Sequence, residues 1–165
     1  MDDTTKGAAR PSRRVLARGA AWSVPVVAVG AAAPAMAASG GTGGITGACA
    51  GGPTATFTLS ISGSLSSSIQ VVFTRLGGTG FTVAPPPTWV LVSTSNNIVV
   101  YEVPVVGGAA SGSATVTYQM GRNGTELVTA EISTPTGQVI TGDTSASVNI
   151  SRDGNSSNYN CAVTG

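Results

Sequence analysis

Thr54-Ala55-Thr56-Phe57-Thr58-Leu59-Ser60-Ile61-Ser62 makes every second side chain apolar and every intervening one a hydroxyl. In an extended chain successive side chains point to opposite faces, so this segment has one face for a core and one for water. The pattern returns at 113–120, where Ala114, Val116, Tyr118 and Met120 alternate with Ser113, Thr115, Thr117 and Gln119. It returns again at 145–151, where Ala146, Val148 and Ile150 alternate with Ser145, Ser147, Asn149 and Ser151. No stretch downstream carries the 3.6-residue period of a helix. Segments 69–74, 89–92 and 98–105 are apolar on both faces, which suits central strands or strands whose outer face meets something else. Ser95-Asn96-Asn97 reads as the tight turn of a hairpin joining two of them. Glycine and proline clusters at 77–80, 85–87, 107–108, 121–124 and 135–137 punctuate the rest. The expectation is an all-β Greek-key sandwich of roughly seven to nine strands over 54–165.

The passage Val103-Pro104-Val105-Val106-Gly107-Gly108-Ala109-Ala110-Ser111-Gly112-Ser113-Ala114-Thr115-Val116-Thr117-Tyr118 resembles part of the immunoglobulin-like modules of bacterial surface proteins. There a proline and a small-residue turn lead into a Ser/Thr-alternating strand. The resemblance covers one short passage and implies an immunoglobulin-like sandwich with a surface role. The antibody-type Cys…Trp…Cys spacing is absent: Trp89 lies between Cys49 and Cys161, but the cysteines are too far apart for that pin. Outside the cell such a pair is expected to be bridged, tying down the ends of the domain. Closing a loop of about 110 residues is worth on the order of 4–5 kcal/mol in the chain-entropy account.

The N-terminal segment has a different logic. Lys6, Arg10, Arg13, Arg14 and Arg18 outnumber Asp2 and Asp3, and an Ala/Val-rich run follows, ending at Pro34-Ala35-Met36-Ala37-Ala38. A cationic region, a modestly apolar core and small residues at Ala35 and Ala37 form an export signal helix with a signal-peptidase site. Ser12-Arg13-Arg14, with Leu16 and Arg18 close behind, points to the twin-arginine route. The stretch from Arg18 through Val29 resembles signal peptides of proteins exported by high-GC Gram-positive bacteria. The division expected is therefore 1–37 as signal peptide, 38–53 as a flexible glycine-rich leader and 54–165 as the sandwich. The export partners would be the twin-arginine translocase and a signal peptidase. The mature protein would be secreted or held in the cell envelope, with no span of its own through the membrane.

Composition removes several function classes. Past residue 37 the charges are Arg75, Arg122 and Arg152 against Glu102, Glu126, Glu131, Asp143 and Asp153, with no lysine. An acidic, lysine-free surface does not gather phosphates, so nucleic acid is not an expected partner. The chain contains no histidine, which excludes Ser-His-Asp and Cys-His catalysis and the common zinc sites. What remains for an enzyme is a carboxylate pair of the glycosidase kind. Glu126 and Glu131 are five apart, so on a strand they face opposite ways, and the acidic residues read as solvated strand and turn charges.

Two binding sites suggest themselves. Trp89 and Tyr101 flank the hairpin; on an exposed face their rings would stack on sugars, whereas aromatics in a sandwich more often pack in the core or across strands. Asp153-Gly154-Asn155 is rich in oxygen ligands and is a weak calcium candidate through Asp153 and Asn155, although the stretch departs from the EF-hand pattern and equally suits a turn. No cofactor is expected. The functional expectation is a non-enzymatic exported sandwich with a structural or adhesive role, acting on an envelope protein or glycan. A carbohydrate-binding module is the alternative, and a carboxylate-based glycan hydrolase a more distant one.

Overall fold

The computed structural model describes residues 39–135, 137–154 and 157–164. The export motif at Arg13 and Arg14, the cleavage site at Ala35 and Ala37, and the calcium candidate Asn155 lie outside the described residues. The described residues form a sandwich of two sheets built from eleven strands, more than the seven to nine expected, because short strands such as β4, β5 and β9 add to the alternating ones. They are β1 (Ser39–Gly51), β2 (Thr54–Gly63), β3 (Ile69–Gly77), β4 (Gly80–Ala84), β5 (Val90–Thr94), β6 (Ile98–Val103), β7 (Ala110–Gln119), β8 (Thr125–Ser133), β9 (Gln138–Thr141), β10 (Ser145–Arg152) and β11 (Tyr159–Thr164).

The five-stranded sheet runs β4-β7-β2-β1-β9 and the six-stranded sheet β11-β10-β8-β3-β6-β5. Every neighbouring pair is antiparallel except β1 and β9, which run parallel from Ser39 opposite Gln138 to Thr42 opposite Thr141. β2 pairs with β7 in one sheet while their successors β3 and β8 pair in the other. Each of those two connections passes between sheets, so the layers are laced together at their centre. The hairpin at Ser95-Asn96-Asn97 is present: Ser95 N–H donates to the Ile98 carbonyl at 2.7 Å, and Ile98 N–H donates to Ser95 Oγ at 3.1 Å.

The alternating register sends the apolar rows inward. Phe57 and Leu59 of β2 meet Val71 and Phe73 of β3, with Val116 of β7 and Val148 of β10 closing the core, all fully buried. Burial of one such side chain is worth about 1.5–3 kcal/mol. An aromatic file crosses the core from sheet to sheet. Phe57 and Phe73 meet edge to face with centroids 5.6 Å apart, Phe73 and Tyr101 likewise at 6.3 Å, and Tyr101 continues to Trp89 at 6.3 Å.

One expectation is corrected here. The glycine-rich stretch 38–53 is not a flexible leader: it supplies β1, an interior strand of the five-stranded sheet hydrogen-bonded between β2 and β9. Gly47 is there for close approach. A Cβ on it would lie 2.7 Å from Val148 Cγ2 of the facing sheet, closer than packed carbon atoms approach. At that position the missing side chain lets the two layers come together beside the inserted Ile45.

The expected disulfide is present. Cys49 of β1 and Cys161 of β11 are joined with Cα atoms 6.1 Å apart, across 112 residues of sequence. It ties the first and last strands together, as anticipated, and because those strands belong to different sheets it also links the layers.

Candidate functional site

The two outer faces of the sandwich differ in chemistry. The strands of the five-stranded sheet carry no charged residue. Thr54, Thr56, Thr58, Ser60 and Ser62 of β2 face outward beside Ser111, Ser113, Thr115 and Thr117 of β7 and Thr42 and Thr46 of β1. Thr58 and Ser113 hydroxyls are 3.0 Å apart across the strand pair. Beside Gly44, whose Cβ position is taken by the Asp143 backbone, lies a shallow depression of about 350 Å³ walled by Thr46, Thr58, Ser60 and Asp143.

Among the described residues the six-stranded sheet ends in an uncovered edge. β5 pairs only with β6, and all five of its residues are exposed. Val90, Leu91 and Val92 are 62%, 52% and 49% exposed, which places a charge-free apolar run on an open strand edge. A register shift between Leu91 and Ser93 is the one guarding feature on this strand. On the adjoining outer face stand Ile98, Val100 and Glu102 of β6 and Val72 and Leu76 of β3.

Beside the start of β5 the β2–β3 and β6–β7 loops form a groove. One lobe, about 400 Å³, is walled by Leu65, Val90, Pro104 and Val105 together with Ser66, Ser67 and Ser68. A second, about 320 Å³, is walled by Gln70, Ser133, Thr134 and Pro135. Glu102 and Ser68 line both lobes, and the Ser68 hydroxyl donates to Glu102 Oε1. The loop wall is held from behind by the buried Gln138, whose Nε2 donates to the Ser67 carbonyl at 3.1 Å and approaches Ser67 Oγ at 2.9 Å.

A different acidic group lies inside the sandwich. Glu126 follows the inward parity of Val128, Ala130 and Ile132 on β8 and is completely buried, which corrects its reading as a solvated charge. Arg75 takes the inward parity of Val71 and Phe73 on β3, and its Nε lies 3.9 Å from Glu126 Oε1. Neither carboxylate oxygen accepts a hydrogen bond, and Arg75 Nε and Nη1 donate none. The arginine does donate from Nη2 to Asn97 Oδ1 at 2.6 Å. Burial pushes the Glu126 carboxyl up to about 7, outweighing the downward pull of the Arg75 guanidinium. Tyr118 faces the same region; burial chiefly, and then the Glu126 charge, raise its phenol above the ordinary value. Its hydroxyl donates to the Val148 carbonyl at 3.0 Å. Space beside the carboxylate is so limited that a Cβ on Gly78 would overlap Glu126 Oε2.

The residues singled out from sequence fall in three places. Trp89 and Tyr101 are 5% and 7% exposed, so the expected sugar-stacking pair is part of the core and offers no ring face to a ligand. The Trp89 indole packs on Gly112 and donates from Nε1 to the Ser111 carbonyl at 3.3 Å. Aromatic side chains bury too much area to be left outside when a facing glycine provides room. Asp153 stands in the turn after β10, where Gly154 N–H donates to Asn123 Oδ1 and fastens that turn to the β7–β8 connection. Among the described residues no group of three or more His, Cys, Asp or Glu side chains is placed to hold a metal. Glu102 and Glu131 share the outer face on opposite sides of β3, but two residues out of register and on an open sheet. Glu126 points inward and Glu131 outward, as their spacing requires.

No protein-family model matches this chain, and no curated protein matches it.

Proposed function

We propose that this chain is an exported, non-enzymatic sandwich that works by contact in the cell envelope or the medium, using the edge of β5 and the outer face beside it. The observation that carries the reading is the run Val90-Leu91-Val92, exposed on both faces of a strand that, among the described residues, has no neighbour on one side. Sheet proteins ordinarily blunt such an edge with lysine, proline or a covering loop, because its free N–H and C=O groups recruit another strand. A bare apolar edge that persists in a folded domain is a contact surface. Export is supported by the cationic, twin-arginine leader and by the Cys49–Cys161 bridge, which forms in oxidising compartments. Among the described residues no helix is long and apolar enough to cross a membrane.

Two variants of the full chain, produced in a Gram-positive host that has the twin-arginine route, test the two halves of this reading. Replacing Arg13 and Arg14 together by lysine should leave an uncleaved precursor inside the cell. The exported wild type should begin at Ala38 by mass spectrometry. Leu91→Lys should be exported in equal amount but shift from the envelope fraction to the medium. Identical partition of Leu91→Lys and wild type would refute the contact surface without touching the export claim.

A further inference from the structure

We infer that the groove at Glu102 is a pocket for the cationic side chain of an extended peptide segment that adds as a strand to the free edge of β5. The inference rests on the contact reading above and names the partner it selects.

The pocket and the edge form one continuous site, because Val90 is the first residue of β5 and also a wall of the groove. Val90 is directly opposite Glu102 in the β5–β6 register, so the two side chains share the outer face. A strand added to β5 would place one residue in line with them, two strand spacings or roughly 9–10 Å from the Glu102 backbone. That separation suits a lysine or arginine and exceeds the reach of the short polar side chains. The apolar wall of Val90, Pro104 and Val105 matches the methylene stem of such a residue, with its head in the polar part of the groove.

Charge points the same way. Glu102 is half-buried and receives one hydrogen bond, from Ser68, and no cation of this chain pairs with it among the described residues. The chain has no lysine beyond Lys6 to compete for it. Ser66, Ser67 and Ser68 are neutral hydroxyls, so the carboxylate is the one charge in its lobe. The wall is pre-set as well, since Gln138 pins Ser67. A site already shaped loses less on binding than a loop that must first be ordered.

The test uses the exported protein, purified after release from the envelope fraction, and fluorescence anisotropy with the labelled heptapeptide Thr-Val-Thr-Lys-Val-Thr-Val. Its controls are the norleucine counterpart and a version N-methylated at alternate amides. Wild type should bind the lysine peptide on the order of tenfold more tightly than the norleucine peptide. Added salt should narrow that preference, as it does for partly exposed charges. Glu102→Gln should erase the preference while leaving the norleucine peptide bound as before, and N-methylation should abolish binding of either. Equal affinity for the lysine and norleucine peptides overturns the cation pocket. Undiminished binding of the N-methylated peptide overturns strand addition. Displacement of the lysine peptide by a neutral linear oligosaccharide such as cellohexaose assigns the groove to glycans and also overturns the inference. None of these outcomes bears on the partition of Leu91→Lys between envelope and medium, so failure here is distinguishable from failure of the contact reading.

Discussion

Glu126→Gln should remove the pH dependence of this domain's stability between about pH 5 and 8. At about 4 Å an ion pair in an effective dielectric of 20 gains about 4 kcal/mol, while desolvating each ion costs several. Arg75 Nε at 3.9 Å supplies the attraction, but neither oxygen of Glu126 has a hydrogen bond to complete the compensation. Desolvation therefore wins, and the carboxyl rises from 4.5 to about 7. The folded form thus keeps its proton at pH values where the unfolded chain has lost it. Stability is full below about pH 4.5 and declines as pH rises towards 7. At 1.36 kcal/mol per pKa unit the whole effect is about 3 kcal/mol, most of it falling between about pH 5 and 7. The chain has no histidine, so no other side chain has its ordinary titration in that window. Urea unfolding of the exported protein, followed by the emission of the buried Trp89, measures the midpoint at several pH values between 5 and 8. Wild type should lose about 2–3 kcal/mol across that range. Glu126→Gln, which keeps the shape and cannot ionise, should stay flat and be the more stable of the two at pH 8. Parallel profiles for the two proteins would refute the argument. A wild type that gains stability with pH would show that the Arg75 attraction exceeds the cost of burial.

Three further outcomes follow from the packing. Replacing Cys49 and Cys161 together by serine frees a loop of 112 residues and should cost about 2–5 kcal/mol, read as a lowered calorimetric midpoint that added reductant reproduces in the wild type. Trp89→Ala should cost about 3–5 kcal/mol, because the indole fills the end of the aromatic file against Tyr101 and Gly112. Trp89→Phe should recover part of that in the same urea titration. Gly47→Val, which drives a side chain into Val148, should cost about 1–3 kcal/mol or more, whereas Ala48→Val on the exposed side of the same strand should be near neutral.

How far the sequence could be read depended on what each side chain contributes to a period-two pattern. β2, β7 and β10 carry large apolar groups on one face, so their place and the two-layer architecture were legible. β1 was not, because glycine carries no side chain to mark a face and equally suits a flexible segment. The parity was there nonetheless: Gly41, Gly43, Ile45, Gly47 and Cys49 share one face, and Thr42, Gly44, Thr46 and Ala48 the other. At Gly47 the glycine reports how close the facing sheet comes, and only the tertiary structure supplies that partner. The same parity carries Glu126 into the row of Val128, Ala130 and Ile132. It was passed over because acidic residues are so rarely fully buried that composition argued for solvent. For Trp89 both core packing and a sugar-stacking surface were open from its place beside a hairpin turn. A glycine on a strand distant in sequence provides the space that decides for the core.

The surface divides along the same line as the core. Alternation in β2 and β7 leaves hydroxyls outside, and hydroxyls exchange hydrogen bonds with water at little net gain. That face has no reason to leave solvent. β5 and β6 break the alternation, and their second apolar face has no third layer to bury it. Leaving Val90, Leu91 and Val92 in water forgoes the stabilisation that core positions receive, and selection for stability alone removes such residues at an edge. On the contact reading proposed above, a partner seated on this edge would return part of that stabilisation. A partner that covers the edge with apolar side chains and brings a positive charge to Glu102 would supply both of the missing terms at once.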